Sequence, residues 1–416
     1  MKNKIFIGAL AVIIAALLWS LDGTFLRPNL YQLPSPLVVF LEHLLGFIVL
    51  CPFLFIYRRE FKLIKKKEWL TIFWVALFGG ALGTTFFTKA LFLTGFKDIS
   101  VVILLQKFQP IFAIILAAIF LHERFPKKFY LYAATAVFAG YFITFKDPFT
   151  ITRLPITSYL IPLFSLLAAF AWGSSTTFGK YSLKNINYGL LAALRFGLTV
   201  LIMALPALYF YANLIPTIAS RQWITFIIIV FSSGAVAMFL YYYGLKKIPA
   251  SLATLCELAW PVSAVTMDYY FNNNVLSPTQ ILGTIILIAA VYQATTLNRA
   301  YTITGQIIKG QGLGGKIGIR TANLEPGLAK DLPKGLYTCQ VGLGDKIYKG
   351  LLYYGYNSLS KNDCLEVHLF NFEGDLHDKQ LIITTQSYMR LPKKFNSAEE
   401  LTEQIKKDIE SVRDKI

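Results

Sequence analysis

Ten apolar stretches, each of about twenty residues and joined by short loops, limit this chain to very few folds. They run roughly over 5–27, 35–57, 69–93, 99–121, 127–146, 156–178, 187–211, 222–244, 250–271 and 278–297. An α-helix rises 1.5 Å per residue, so about 20 residues cross the hydrocarbon core of a bilayer. Inside lipid every backbone N–H and C=O must be satisfied within the segment, which makes each stretch a transmembrane helix. Only 15% of the 416 residues are charged and 55% are hydrophobic. Mean hydropathy is +0.54. Residues 301–416 differ and read as an ordinary soluble domain.

The net charge of +17 does not point to nucleic acid. Much of the basic excess lies in short loops beside the apolar stretches. Arg58, Arg59, Lys62, Lys65, Lys66 and Lys67 follow the second; Arg124, Lys127 and Lys128 the fourth; Lys180 and Lys184 the sixth; Lys246 and Lys247 the eighth. These loops share one side if both termini are cytoplasmic, as the positive-inside rule requires. The N-terminal run lacks a small-residue cleavage site and reads as an uncleaved first helix. Cys51, Cys256, Cys339 and Cys364 have no metal-ligand spacing, and no disulfide is expected in a cytoplasmic domain.

The first five stretches repeat in the second five. Trp19 to Glu42 lies on Trp172 to Arg195 without a gap. Trp69 then meets Trp223, Gly80 meets Gly234, Leu91 meets Leu245 and Pro110 meets Pro261. An odd number of spans per copy inverts the second copy in the bilayer. Inverted repeats are a recurrent transporter plan, with the substrate site near the midplane between them.

Ionisable groups within a span cost roughly 2.5–3.5 kcal/mol each and persist when they face a polar cavity or a partner. Asp22, Glu42, His43, Lys89, Lys107, Arg195, Glu257 and Asp268 are such groups. Glu42 and Arg195 occupy matching places in the two copies and are candidates to pair. Gln106 matches Glu257, and Lys107 is placed to satisfy Glu257. Asp22 and Asp268 lie nearer span ends, where they can reach water.

The stretches Ala16–Phe25, Ala171–Phe178 and Gln109–Arg124, the last with a proline mid-helix and Glu123 at its end, resemble the drug/metabolite transporter superfamily with two EamA-like repeats. The second copy keeps Pro261 but has Asn274 in place of the acid. In that family spans 3, 4, 8 and 9 line the central cavity. The resemblance therefore implies that Lys89, Gln106, Lys107, Tyr243 and Glu257 line it here, with Glu42 and Arg195 beside them.

The C-terminal part reads as strands near 301–309, 336–343, 346–354, 365–370 and 380–388, then a helix. Ser397 and Glu400 form a capping box, and Leu401, Ile405, Ile409, Val412 and Ile416 make one apolar stripe. This pattern fits a small antiparallel barrel closed by a helix. Residues 310–318 are glycine-rich after a strand, where backbone N–H groups can approach phosphates. The Thr321 hydroxyl and Asn323 amide are oxygen donors suited to Mg²⁺. Leu365, Val367 and Leu369 alternate inward, which puts Glu366 and His368 on the opposite face. A carboxylate on a rigid strand can take a proton from a hydroxyl nucleophile.

In order and spacing, 305–324 (GQIIKGQGLGGKIGIRTANL), Lys334–Tyr337, Leu365–Leu369 and Lys394-Phe395 before the helix resemble the riboflavin kinase domain. The resemblance implies that Gly310, Gly312, Gly314, Gly315, Lys316 and Gly318 hold nucleotide phosphates. It assigns Mg²⁺ and phosphate to Thr321 and Asn323, the catalytic base to Glu366 and a flavin contact to Arg390. The sequence departs from the family at Arg320, at Ser358-Leu359 and at His377-Asp378.

Together these readings give an α-helical membrane protein of ten transmembrane helices plus a small antiparallel β-barrel domain with a C-terminal helix. The two inverted five-helix repeats occupy 1–150 and 151–299, and the barrel 300–416. The resemblances imply a riboflavin transporter whose fused kinase makes FMN with ATP and Mg²⁺. The alternative is a carrier of another small molecule under an inactive flavin-sensing domain. Expected partners are a small-molecule substrate and the lipid bilayer, not nucleic acid, with a homodimer left open. The expected location is multi-pass in the plasma membrane, both termini cytoplasmic.

Overall fold

The computed structural model describes all residues except 1, 96–99, 122, 124, 145–158, 273–276, 298–300, 309–320, 331, 345, 358–361, 375, 377–378, 396 and 414–416. The chain divides into a helical unit (residues 3–122 and 131–295) and a second unit holding 296–416 with residues 1–2 and 123–130.

Among the described residues of the chain, seven helical stretches are long and apolar enough to cross a bilayer: Ile5–Leu30, Lys66–Thr94, Val102–Phe120, Leu160–Ser182, Tyr188–Thr217, Ser220–Lys247 and Pro278–Leu297. The expected spans near 35–57, 127–146 and 250–271 are helical but are not among the seven. The first is a 16-residue helix, Ser35–Leu50, followed by a short turn, Pro52–Ile56. The second is Lys127–Thr144. The third divides into Ala250–Cys256 and Ala259–Asn272. Outward faces stay apolar: Leu201, Leu205 and Leu208, spaced at helical intervals, are all exposed, as lipid contact requires.

Irregular turns recur within the helical unit. The first helix, Lys2–Leu21, runs into a π-helical turn at Asp22–Leu26. A second π-helical segment spans Val75–Leu82. Widened turns free backbone carbonyls and often mark functional positions. Close approach explains the glycines here. A Cβ on Gly79 would collide with Ser175, and one on Gly80 with Thr199, so small residues let these helices pack backbone to side chain.

Among its described residues the second unit forms a six-stranded antiparallel sheet. Its strands are β1 (Thr302–Gln306), β2 (Ala322–Leu324), β3 (Gly335–Leu343), β4 (Lys346–Asn357), β5 (Asn362–Leu369) and β6 (Gln380–Arg390), in the order β1-β6-β3-β4-β5-β2. The Ile308 N–H donates to the Asn323 carbonyl at 2.8 Å, which brings the two ends of that order together and nearly closes a barrel. Inside pack Val341, Leu352, Val367, Leu381 and Ile383. The helix Ala398–Arg413 lays Ile409 and Val412 on Leu336 and Leu351. One of the two bonds of the expected capping box is present: Ser397 Oγ accepts from the Glu400 N–H at 3.3 Å. Ile416, the last residue of the expected stripe, lies outside the described residues.

Candidate functional site

Two helix breaks build one wall of a cavity in the helical unit. Ser100–Gln106 stops and Gln109–Phe120 begins after two turn residues, with Pro110 at its start. Ala250–Cys256 stops and Ala259–Asn272 begins after Glu257 and Leu258, with Pro261 near its start. Proline lacks the N–H that would continue the ladder. Side chains at both breaks turn into a cavity of about 200 Å³ lined also by Trp19, Asp22, Arg27, Glu42, Arg195 and Tyr241.

Charge in this cavity is arranged unevenly. Arg27 sits between two acids, its Nη2 lying 2.5 Å from Asp22 Oδ2 and 3.1 Å from Glu42 Oε1. Its Nη1 donates to Thr88 Oγ1 at 2.7 Å. Glu257 accepts from Gln109 Nε2 at 2.5 Å and from the Tyr241 hydroxyl at 2.9 Å. Thr176 Oγ1 lies 2.6 Å from that same hydroxyl. Arg195 Nη2 donates at 2.7 Å to the Gly79 carbonyl, in the π-helical segment, and the Trp172 indole N–H reaches the same carbonyl at 3.1 Å. Lys107 is only 4% exposed and stands 4.9 Å from the centroid of the Trp260 ring.

These contacts correct several expectations. Glu42 and Arg195 do not pair, because Arg27 takes Glu42 and a backbone carbonyl takes Arg195. Lys107 and Glu257 do not pair, because neutral donors hold the carboxylate. Lys89 is exposed and does not line the cavity. Tyr243 does not line it either. It packs edge-on against Tyr188 with ring centroids 5.3 Å apart, under the Lys247 ammonium. Tyr241 does line it: two residues along a helix is a rotation of about 200°, so Tyr241 and Tyr243 face opposite ways. Asp22 is paired rather than bathed in water, its side chain 13% exposed. Gln106, Lys107, Glu42, Arg195 and Glu257 do line the cavity. Arg27 was missed. It follows an apolar run and precedes Pro28, so it reads as a helix end, yet Asp22, five residues before it and assigned no cation, was a signal for it.

The second site is a pocket of about 100 Å³ on the barrel, between β5 and the C-terminal helix. Thr321, Tyr353, Glu366, His368, Arg390, Leu401 and Asp408 line it. Strand alternation holds as expected: Leu365, Val367 and Leu369 are buried, and Glu366 and His368 are half-buried on the other side. Strand β2, absent from the five expected strands, pairs with β5 so that Asn323 stands opposite Glu366. Thr321 Oγ1 donates to Glu366 Oε2 at 3.3 Å. Arg390 is clamped by Asp408, with Nε–Oδ1 at 2.9 Å and Nη2–Oδ2 at 2.5 Å, and its Nη1 goes to the Leu391 carbonyl. Burial pushes the Tyr353 phenol up to about 12, so Tyr353 stays a neutral hydroxyl beside the acid.

The Thr321 hydroxyl and the Glu366 carboxylate meet here, and Asn323 stands opposite Glu366 in the strand pair; all three residues offer hard oxygen donors. They suit Mg²⁺, which uses one or two protein carboxylates and completes its shell with water and phosphate oxygens. Among the described residues no group of three His, Cys, Asp or Glu is placed to enclose a metal ion alone. Gly310, Gly312, Gly314, Gly315, Lys316 and Gly318, with Arg320 and His377-Asp378, lie outside the described residues.

Comparison with known proteins follows the same division. Residues 6–145 and 160–296 match the EamA-like transporter family, and residues 297–416 match riboflavin kinase. The riboflavin transporter ImpX of Fusobacterium nucleatum is 42% identical over 299 residues, covering 70% of this chain and 98% of that protein. A bifunctional riboflavin kinase/FMN adenylyltransferase of Buchnera aphidicola is 32% identical over 184 residues, 42% of this chain and 58% of that one. The RNA-binding riboflavin kinase RibR of Bacillus subtilis is 32% identical over 115 residues, 26% of this chain and 49% of that one. The chain thus spans less than two thirds of either kinase relative. One solved crystal structure superposes with a TM-score of 0.55 at 17% identity, covering 70% of this chain and 96% of that one, a likeness of fold alone.

Proposed function

Because the chain belongs to the EamA-like transporter family and ends in a domain matching riboflavin kinase, we propose that it carries riboflavin into the cell and phosphorylates it there to FMN. The fusion itself carries this reading: a relative of a riboflavin transporter is joined in one chain to a domain whose chemistry consumes riboflavin. Phosphorylation adds roughly 1.5–2 negative charges at neutral pH, which keeps the product from returning through a membrane path. Tethering raises the concentration of arriving substrate at the kinase.

In this reading the membrane part has ten spans, as two inverted repeats at 1–150 and 151–299. The paired helix breaks before Pro110 and Pro261, and the twofold family match, support that plan. Broken helices in corresponding places mark the substrate site of many carriers. ATP is supplied in the cytoplasm, so the domain at 300–416 lies there. The basic loops orient both termini the same way.

For the kinase, Glu366 takes the proton of the terminal ribityl hydroxyl as that oxygen attacks the γ-phosphorus of ATP. The bond to the bridging β–γ oxygen breaks and ADP leaves. Glu366 acts from a fixed strand, oriented by Thr321. Thr321 and Asn323 hold Mg²⁺, which neutralises phosphate charge when bound. The glycine-rich segment with Lys316 covers the phosphates, and Arg390, held rigid by Asp408, borders the flavin. The test is labelled riboflavin uptake in cells lacking their own carrier. Accumulation as intracellular FMN is expected; uptake no greater than in cells without the chain overturns the reading.

A further inference from the structure

We infer that the wall made by the two helix breaks, Gln106–Pro110 and Glu257–Pro261, reads a cyclic imide, the C(=O)–NH–C(=O) edge of a flat heterocycle. Glu257 accepts the imide N–H, Gln109 and Lys107 donate to the flanking carbonyls, and the ring stacks on Trp260. The inference rests on the flavin-carrying reading above, since the isoalloxazine ring has one such edge.

The observations are unspent hydrogen-bonding groups lining the cavity. Glu257 receives only neutral donors, one on each oxygen, although an ionised carboxylate has about four acceptor sites. No described residue forms an ion pair with it. Lys107 is buried, and no described residue gives it a hydrogen bond or an ion pair; its one described charge contact is the Trp260 ring. A buried ammonium with three unused N–H donors is costly unless something in the cavity supplies an acceptor. Gln106 is fixed by its Nε2, which donates to the Ser165 carbonyl at 3.0 Å, and its Oε1 is buried with no partner. Gln109 Nε2 has spent one hydrogen on Glu257 and keeps a second.

Glu257 supplies an acceptor, and Gln109 and Lys107 supply donors, within one cavity. An imide offers the inverse, an acceptor on either side of a donor. Trp260 lines the cavity with a flat aromatic ring, and the Lys107 ammonium stands 4.9 Å from its centroid. Sites that pair a substrate N–H with a buried acceptor reject analogues lacking that N–H strongly, because the acceptor is then stranded. Water would also satisfy these atoms, but without that selectivity.

The experiment uses the full chain in proteoliposomes without ATP, so the fused domain is idle. Initial uptake of labelled riboflavin is measured against unlabelled riboflavin or N3-methylriboflavin as competitor. The methyl analogue is expected to compete at least tenfold more weakly. Glu257→Met is expected to shrink that ratio below threefold, and Lys107→Met to slow riboflavin uptake at least tenfold while keeping the ratio. Equal competition by the two flavins on the unmodified chain overturns the inference, whether or not the variants fold. So does a ratio unchanged in Glu257→Met, or uptake unchanged in Lys107→Met. Absence of any riboflavin uptake by the unmodified chain is a different result, which overturns the carrier reading beneath it.

Discussion

The membrane cavity and the barrel pocket use the same few kinds of group, guanidinium, carboxylate and hydroxyl, under opposite rules. In the pocket, side chains come from adjacent strands and their facing is fixed by the two-residue period of the sheet. Glu366, Asn323 and Thr321 are neighbours because β2 pairs with β5. In the cavity, partners follow no fixed spacing: Arg27 takes Asp22 five residues away and Glu42 fifteen away, whereas Glu257 takes Gln109 148 residues away, and an isolated acid is satisfied by whatever the packing brings. The difference teaches that a role on a sheet can be inferred from spacing, whereas an ion pair in a bundle cannot.

The largest expected effect tests the sheet side. Glu366→Ala is expected to lower FMN formation by about 10²–10⁴-fold, the usual contribution of a positioned general base, while riboflavin uptake into ATP-free vesicles continues. A loss of uptake together with phosphorylation would break the separation of the two sites. Removing Mg²⁺ with a chelator is expected to do the same: phosphorylation stops and uptake persists.

Next comes the bundle side. Arg27→Met strands Asp22 and Glu42, and breaking a buried ion pair from one side costs about 3–5 kcal/mol. Folded protein recovered from membranes is expected to drop sharply. The triple variant Arg27→Met, Asp22→Asn, Glu42→Gln is expected to regain most of it, because no unpaired charge remains. If the triple variant is no better than the single one, Arg27 matters for its shape or its Thr88 contact rather than for charge. A smaller effect is expected at Asp408→Asn, which loosens the clamp on Arg390. The Michaelis constant for riboflavin should rise severalfold with little change in turnover, read on the full chain in detergent.

How much of this was legible follows the same line. The apolar stretches gave the membrane class directly, because helix length and bilayer thickness are fixed quantities. The barrel and its closing helix followed from alternation and a helical stripe. Strand β2 was not legible: three residues carry too little periodicity to mark a strand. The cavity residues at the breaks, Gln106, Lys107 and Glu257, were legible because polar groups stand out in apolar runs and the family resemblance put their spans at the cavity. Their partners were not. Tyr241 and Tyr243 are chemically identical in the sequence, and only helix phase, which a three-tyrosine run does not fix, separates them. Arg27 escaped because the helical path does not stop before Pro28: the π-helical turn at Asp22–Leu26 runs on into a 3-10 turn, Arg27–Leu30, which sets the guanidinium against Asp22.

The smallest effect is the sharpest check on that lesson, since it concerns residues that belonged in the cavity by sequence and lie outside it by structure. Lys89 is exposed on the helix Gly83–Thr94, and Tyr243 packs against Tyr188. Lys89→Ala removes a charge that no cavity group depends on. Tyr243→Phe keeps the ring that Tyr188 and Lys247 contact and deletes only the hydroxyl. Surface changes of this kind usually fall within about 0.5 kcal/mol, so riboflavin uptake by either variant is expected within twofold of the unmodified chain. Tyr241→Phe, by contrast, takes one of two donors from Glu257 and frees the Thr176 hydroxyl. Losing a hydrogen bond to a charged group costs about 1.5–3 kcal/mol, so uptake should fall about tenfold or more. The ratio between the two tyrosine variants reads helix phase directly: if Tyr243→Phe proves the more damaging, the helix Ala235–Lys247 is turned the other way, and the cavity must be rebuilt around its opposite face.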